Sequence, residues 1–245
     1  MRAAGVAVKW LVVALLLMML VAIILCLPPL WRQDRLRNIA KEATVVEIDP
    51  HAVVIRPELT HGKVSRFESF NEAMTRLKPY AAVNGTFYGS DMKPLGDILI
   101  DGKLVNRGIY RCAIGITNKG DVDFIWRKGA KFDWTGYKCG LAAGPRLVHN
   151  GKIDAKPIDC GFTRKGLPNT APRTGIGKTE SGQLLLVVVR EPVTLRQFAG
   201  IMRSRRCVEA MNLDGGPACG LYYKGHTLVS PSLRMTNLLV FYERD

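Results

Sequence analysis

The chain has 245 residues, 47% of them hydrophobic and 23% charged, with a formal net charge of +14. That composition excludes a disordered polymer, and the length beyond the first 40 or so residues is enough for one domain with a sizeable core. The positive balance suits an anionic partner or a membrane surface. The basic residues are scattered, apart from Arg203, Arg205 and Arg206, and no aromatic-rich binding motif accompanies them, so nucleic acid is not the expected partner.

Residues 1–10 form a short tail carrying Arg2 and Lys9. Leu11 to Leu27 contains no charged residue, and a run of about 17 to 25 apolar residues can cross a bilayer. A cleaved signal peptide and an uncleaved anchor compete for this stretch. The exit, Leu25-Cys26-Leu27-Pro28-Pro29, lacks the small residues of a peptidase site, which favours an uncleaved anchor over 11–30. Basic residues stand on both sides of it, so the positive-inside rule gives no orientation. An N-terminal anchor feeding a large domain most often exports that domain, and a periplasmic or extracellular location is the working expectation. Residues 31–42 read as a juxtamembrane linker, helical from Arg32, and 43–245 as the domain. That domain holds 29 Lys and Arg against 19 Asp and Glu.

Strands then dominate. Ala43 to Ile48 and Ala52 to Ile55 are β-branched runs separated by Asp49-Pro50-His51. Ser69 to Lys78 has helical spacing and stops before Pro79. Tyr80 to Val83 is a short strand ending in Asn84-Gly85. Hairpins are predicted around Asp101-Gly102, Asn118 to Asp121, Asn150-Gly151, Glu180 to Gly182 and Lys224-Gly225. Lys156 to Ala171 reads as a long loop, a place where function often resides. Thr194 with Gln197 forms a capping box for a helix through Met202. Val208 to Leu213 is a strand leading to Asp214, and Asn237 to Tyr242 closes the chain. The expected fold is α+β: a largely antiparallel or mixed sheet with two or three packed helices, preceded by one transmembrane helix.

Five cysteines lie outside the anchor: Cys112, Cys139, Cys160, Cys207 and Cys219. No CxxC or Cys/His spacing suggests zinc, and His51, His61, His149 and His226 show no metal-ligand pattern. No metal and no cofactor is therefore expected. An oxidising compartment allows two disulfides. Proximity in sequence pairs Cys139 with Cys160 and Cys207 with Cys219, although sequence cannot fix the pairing.

Four segments place a polar group at a strand end beside small residues. Asn84-Gly85 leaves the first, Gly144-Pro145-Arg146 opens the second, Arg173-Thr174-Gly175 opens the third, and Asn212-Leu213-Asp214-Gly215-Gly216 ends the fourth. Asp and Gly both weaken strands, and a Gly pair lets the backbone turn sharply. Asp214 is thus either an ordinary turn residue or a carboxylate presented on a glycine turn. Arg146 alternates with Leu147 and points either to the site or to solvent. Asp97 reads as a solvated carboxylate, and Cys219 as a packed thiol or half of a disulfide.

In Asn84-Gly85-Thr86-Phe87-Tyr88, Pro94-Leu95-Gly96 with Asp101-Gly102-Lys103-Leu104-Val105, Gly144-Pro145-Arg146-Leu147-Val148, Pro172-Arg173-Thr174-Gly175-Ile176-Gly177 and Asn212-Leu213-Asp214-Gly215-Gly216, the chain resembles the phosphodiester glycosidase family. That family includes bacterial exported proteins linked to exopolysaccharide biosynthesis. The resemblance runs from about Val45 to Tyr242, in order and rough spacing. It implies removal of a sugar from a sugar-1-phosphodiester of a phosphorylated glycan or other anionic cell-envelope component. It also implies that Asn84, Arg173, Asn212 and Asp214 belong to the site.

The expected roles are Asp214 and Arg173 in catalysis, with Asn84, Gly85, Gly144, Arg146, Thr174, Asn212, Gly215 and Gly216 binding substrate. The chain departs from the family pattern at Thr86 and at Pro217-Ala218-Cys219, where Pro217 removes an N–H donor. The alternative is a non-catalytic anchored domain that binds anionic glycan.

Overall fold

Tight turns set much of the architecture. Asp101 and Gly102, Asn150 and Gly151, and Lys224 and Gly225 all take left-handed backbone angles, the conformation that two-residue hairpins require. In the computed structural model, which describes residues 15–19, 30–127, 129, 131–163, 167 and 169–244, strands laid down by such turns assemble into three sheets, every paired neighbour antiparallel.

Contacts divide the chain into Met1–Lys41 and Glu42–Asp245. In the first part, residues 15–19 are helical, and most of the expected 11–30 anchor lies outside the described residues. Among the described residues no helix is long and apolar enough to cross a membrane. Helix α1, Leu30–Glu42, occupies the expected juxtamembrane stretch.

The second part holds the sheets. In chain order the strands are β1 (Thr44–Ile48), β2 (Val53–Leu59), β3 (Ala81–Asn84), β4 (Ile98–Ile100), β5 (Lys103–Asn106), β6 (Cys112–Thr117), β7 (Val122–Trp126), β8 (Tyr137–Ala143), β9 (Arg146–His149), β10 (Lys152–Ile153), β11 (Ala171–Thr179), β12 (Leu184–Val193), β13 (Cys207–Asn212), β14 (Leu221–Tyr223), β15 (His226–Val229) and β16 (Asn237–Glu243). The first sheet runs β1-β12-β11-β13-β9-β10, the second β15-β14-β3-β16-β2, and the third β5-β4-β8-β6-β7. β1 and β2, neighbours in sequence, pair in different sheets, so Asp49-Pro50-His51 is a crossing between sheets.

One apolar core joins all three sheets, through Val46, Leu186 and Met211 of the first, Ile55, Val83 and Leu239 of the second, and Ile98, Ile114 and Leu141 of the third. Helix α2 (Phe70–Leu77) covers the far face of the second sheet with Phe70, Ala73 and Met74. It carries a capping box that the sequence reading passed over: Ser69 and Glu72 satisfy one another's backbone N–H groups. Helix α3 (Leu195–Ser204) lies on the first sheet, burying Phe198, Ala199, Ile201 and Met202. Its expected cap is present, with Thr194 Oγ1 accepting from the Gln197 N–H at 3.2 Å and Gln197 Oε1 accepting from the Thr194 N–H at 2.9 Å. Removing such a threonine cap costs about 1 kcal/mol.

Strand β8 was not expected. Its sequence, Tyr-Lys-Cys-Gly-Leu-Ala-Ala, is poor in strand-favouring residues, yet it sits between β4 and β6 and is buried over its last five residues. A Cβ on Gly140 would stand 2.2 Å from the Trp134 ring, so close packing under the indole, rather than propensity, explains its composition.

Candidate functional site

The first and second sheets meet where the chain leaves β13 and crosses to β14, over residues 213–220. Asn84, at the end of β3, clamps both ends of that crossing. Its Nδ2 donates to the Asp214 carbonyl at 2.7 Å, and its Oδ1 accepts from the Gly220 N–H at 3.0 Å. The Asp214 N–H in turn donates to the Gly85 carbonyl at 3.0 Å. Asn237 fixes the other side of the β3 exit, accepting from the Thr86 N–H at 2.7 Å and donating to its carbonyl at 3.0 Å. A Cβ on Gly85 would come within 2.0 Å of Asn237 Oδ1, so residue 85 must be glycine for the two loops to lie this close. Asn237 was not among the expected site residues; nothing near it in sequence marks it, and only the pairing of β16 with β3 brings it in.

Asn212 holds the remaining loop. Its Nδ2 donates to the Gly144 carbonyl at 3.3 Å and to the Leu213 carbonyl, while the Gly144 N–H donates to the Asn212 carbonyl at 2.8 Å. The Leu213 N–H donates to the Thr174 carbonyl at 2.8 Å. Asn84, Gly85, Gly144, Thr174, Asn212, Gly215 and Gly216 therefore converge around Asp214. Both asparagines act on backbone, so what they orient is the turn that carries the acid.

Asp214 itself is half-buried. Its Oδ1 accepts from the Gly215 N–H at 2.8 Å, but burial of the carboxyl outweighs that bond and pushes its pKa up to about 7. The charge of Asp214 reaches the phenols of Tyr88 and Tyr110, which burial and that charge together push upward. Tyr110 stacks on Phe162 with centroids 4.2 Å apart, and Phe87 meets both edge-on. An aromatic wall thus stands beside the acid.

Arg173 is placed differently from the open strand mouth that the sequence suggested. It is 1% exposed, and its Nε donates to the Val193 carbonyl at 3.3 Å. Burial lowers its pKa. Its charge still reaches the Cys219 thiol, which also borders Thr174 and feels Asp214; burial pushes that thiol up to about 11. Cys219 is therefore a buried thiol that feels both the acid and the guanidinium.

Outside the buried turn lies a cleft of about 340 Å³ bordered by Pro172, Arg190, Gly216, Pro217, Cys219 and Ser230. Arg190 is exposed at its rim. Sequence reading missed Arg190 because it follows a buried run, Leu184 to Val189, with no motif around it.

Two further expectations need correction. Arg146 is turned away to an ion pair with Asp154, with its guanidinium 5.0 Å over the Trp126 ring, so the structure gives it a partner of its own. Asp97 is not solvated: it is 1% exposed, accepting from the Gly108 N–H at 2.7 Å and from Trp134 Nε1 at 3.0 Å. It holds the 106–108 loop. No group of His, Cys, Asp and Glu among the described residues has the arrangement to hold a metal ion.

The model of the phosphodiester glycosidase family matches residues 78–242. No curated protein matches the sequence. Among solved structures, a hypothetical protein from Synechocystis superposes with a TM-score of 0.73 at 17% identity, covering 82% of this chain and 59% of that one. The chain thus spans about three fifths of the Synechocystis protein. The catalytic domain of zebrafish N-acetylglucosamine-1-phosphodiester α-N-acetylglucosaminidase, auto-inhibited by its pro-peptide, gives 0.70 at 21% identity, covering 82% and 77%. A protein from Burkholderia pseudomallei gives 0.60 at 14% identity, covering 82% and 73%. At these identities the likeness is one of fold.

Proposed function

The chain belongs to the phosphodiester glycosidase family, and from that premise we propose that it hydrolyses a sugar-1-phosphodiester, releasing free sugar from a phosphate-bearing glycan or envelope component. We propose further that residues 11–30 anchor it in a membrane and that residues 43–245 act on the exported side. The observation that carries the reading is the construction around Asp214. Two asparagine side chains and two glycine-rich strand ends hold one half-buried carboxylate at the exit of β13, and the glycine turn that follows it, at Gly216, borders a cleft.

The chemistry needs little more. Glycosidases commonly use two carboxylates because a departing alcohol needs a proton. A phosphate monoester leaves without one. Asp214, with a pKa near 7, is matched to take a proton from water at neutral pH. Water attacks the anomeric carbon, the carbon–oxygen bond to phosphate breaks, and the electron pair departs with the monoester. Arg190, open to solvent at the cleft rim, meets the phosphate directly. Arg173, buried within electrostatic reach of Cys219, adds positive potential without touching substrate.

The test is release of free sugar from a panel of sugar-1-phosphodiesters by the purified protein. Wild type should turn over at least one member, with kcat/KM falling about tenfold per pH unit below pH 7 as Asp214 protonates. Asp214→Asn should lose roughly 100-fold or more in kcat, and Arg190→Ala should raise KM chiefly. Equal rates for Asp214→Asn and wild type would remove the assignment. One feature favours a second reading, a non-catalytic anionic-glycan binder: Pro217 occupies the turn after Gly216 and has no N–H to offer. Binding across the panel without turnover would select it.

A further inference from the structure

The long 156–171 segment does more than connect strands. Its one 3-10 turn among the described residues, Ile158–Cys160, is tied to the start of β6 by the Arg111 N–H, which donates to the Cys160 carbonyl at 3.0 Å. That bond lays Cys160 beside Cys112. The two residues share one buried cluster with Tyr110 and Phe162, and their thiols are hydrogen-bonded to each other. Strand β9 and the residue before its cis proline close around the pair. The Arg146 N–H donates to Cys160 Sγ at 3.4 Å, and a Cβ on Gly144 would lie 3.5 Å from Cys112 Sγ. Neither Cys139 nor Cys207 has such a neighbour: the Cys207 sulfur faces Gly177, and Cys139 sits in the shared core. Cys112, Cys139, Cys160, Cys207 and Cys219 are all free thiols in the structure, so neither pairing drawn from sequence proximity, Cys139 with Cys160 or Cys207 with Cys219, is present.

We propose that Cys112 and Cys160 form a disulfide site that fastens the 156–163 segment to β6, behind the aromatic wall of the Asp214 site. The oxidant is a low-molecular-weight disulfide or the disulfide of a thiol oxidase. Cys160 is the attacking group. The hydrogen bond from Cys112, with that from the Arg146 N–H, holds its thiol below the ordinary value against the opposing effect of burial, and thiolate is the nucleophile. The Cys160 thiolate attacks one sulfur of the oxidant and expels the other half as a thiol. The Cys112 sulfur, losing its proton to solvent, then attacks Cys160 Sγ and expels the second half. Two protein thiols and one disulfide become one protein disulfide and two thiols. Cys112 and Cys160 are 2% and 4% exposed, so the exchange occurs while the segment is lifted, and the closed bond is shielded from reductant afterwards.

Refolding the full-length chain from urea into detergent with reduced and oxidised glutathione, then alkylating under denaturing conditions without reductant, tests this. The chain has six cysteines. Four should be alkylated, with the peptides of Cys112 and Cys160 linked and the mass about 2 Da lower for that bond. Dithiothreitol should restore all six. Cys112→Ser should leave all five remaining cysteines alkylated. A wild-type chain that refolds to the same circular dichroism spectrum with six alkylated cysteines overturns the proposal. So does a cross-link through Cys139, Cys207 or Cys219, or a stable glutathione adduct on Cys160 with Cys112 free.

Discussion

Asp214 carries a burial cost that depends on pH. Its folded pKa of about 7 lies above the ordinary 3.8. Above pH 7 both folded and unfolded chains are ionised here, and the whole cost of holding the anion out of water is borne by the fold. Between 7 and about 4 the folded chain binds a proton that the unfolded one does not, so this contribution to stability improves as pH falls. Below about 4 the cost is gone. A tenfold difference in proton affinity between the two states corresponds to about 1.4 kcal/mol. Since the residue keeps some exposure, the cost is roughly 2–4 kcal/mol. Asp214→Asn removes the charge at nearly constant shape. It should raise the thermal midpoint at pH 8 by roughly 4–16 °C and leave it within about a degree or two of wild type at pH 4. A gain of equal size at both pH values would show that the carboxylate is not held in this state. A gain confined to pH 8, accompanied by loss of turnover, is the pattern expected of a strained functional group.

The elements show which physical signals a sequence carries and which it does not. Hairpins at Asp101-Gly102, Asn150-Gly151 and Lys224-Gly225 were legible because left-handed backbone angles are a local demand with a local answer. The α3 cap was legible for the same reason. β8 was not, since burial between two neighbours and contact with Trp134 decide it, and neither is local. The site divides likewise. Its glycine-flanked polar residues stood out where strands end. That Arg173 is enclosed, that Arg146 belongs to Asp154, and that Cys160 meets Cys112 from a distant part of the chain depend on how sheets fold over one another. One element is best tested outright. The uncharged Leu11–Leu27 run is long enough to span a bilayer. Full-length protein should stay in the membrane pellet after alkaline carbonate, whereas a chain starting at residue 31 should appear in the supernatant. Release of the full-length chain would remove the anchor from the proposal.

At the scale of the whole 42–245 unit, the site depends on the sheets being one cooperative body. Asp214 is positioned by β13 of the first sheet and by Asn84 of the second, and the third contributes the Cys112 end of β6, with Tyr110 just before it, at the aromatic wall. Nothing in any single sheet would hold these together. What does is the shared core, to which all three sheets contribute fully buried side chains. Leu141, in β8 and 0% exposed, is a part of that core far along the chain from Asp214. Leu141→Ala removes buried methyl groups and leaves a cavity, at a cost of about 3 kcal/mol, which lowers the melting point by roughly 6–12 °C in a domain of this size. Because the core is common, the fluorescence of a chain carrying Trp10→Phe and Trp31→Phe, which leaves only Trp126 and Trp134 of the four tryptophans, in and beside the third sheet, should shift together with far-ultraviolet circular dichroism, which reports on all three. If the fluorescence midpoint fell while the circular dichroism midpoint stayed, the third sheet would be melting by itself. The acid would then rest on two sheets and the aromatic wall on another, with no common frame to keep them in register.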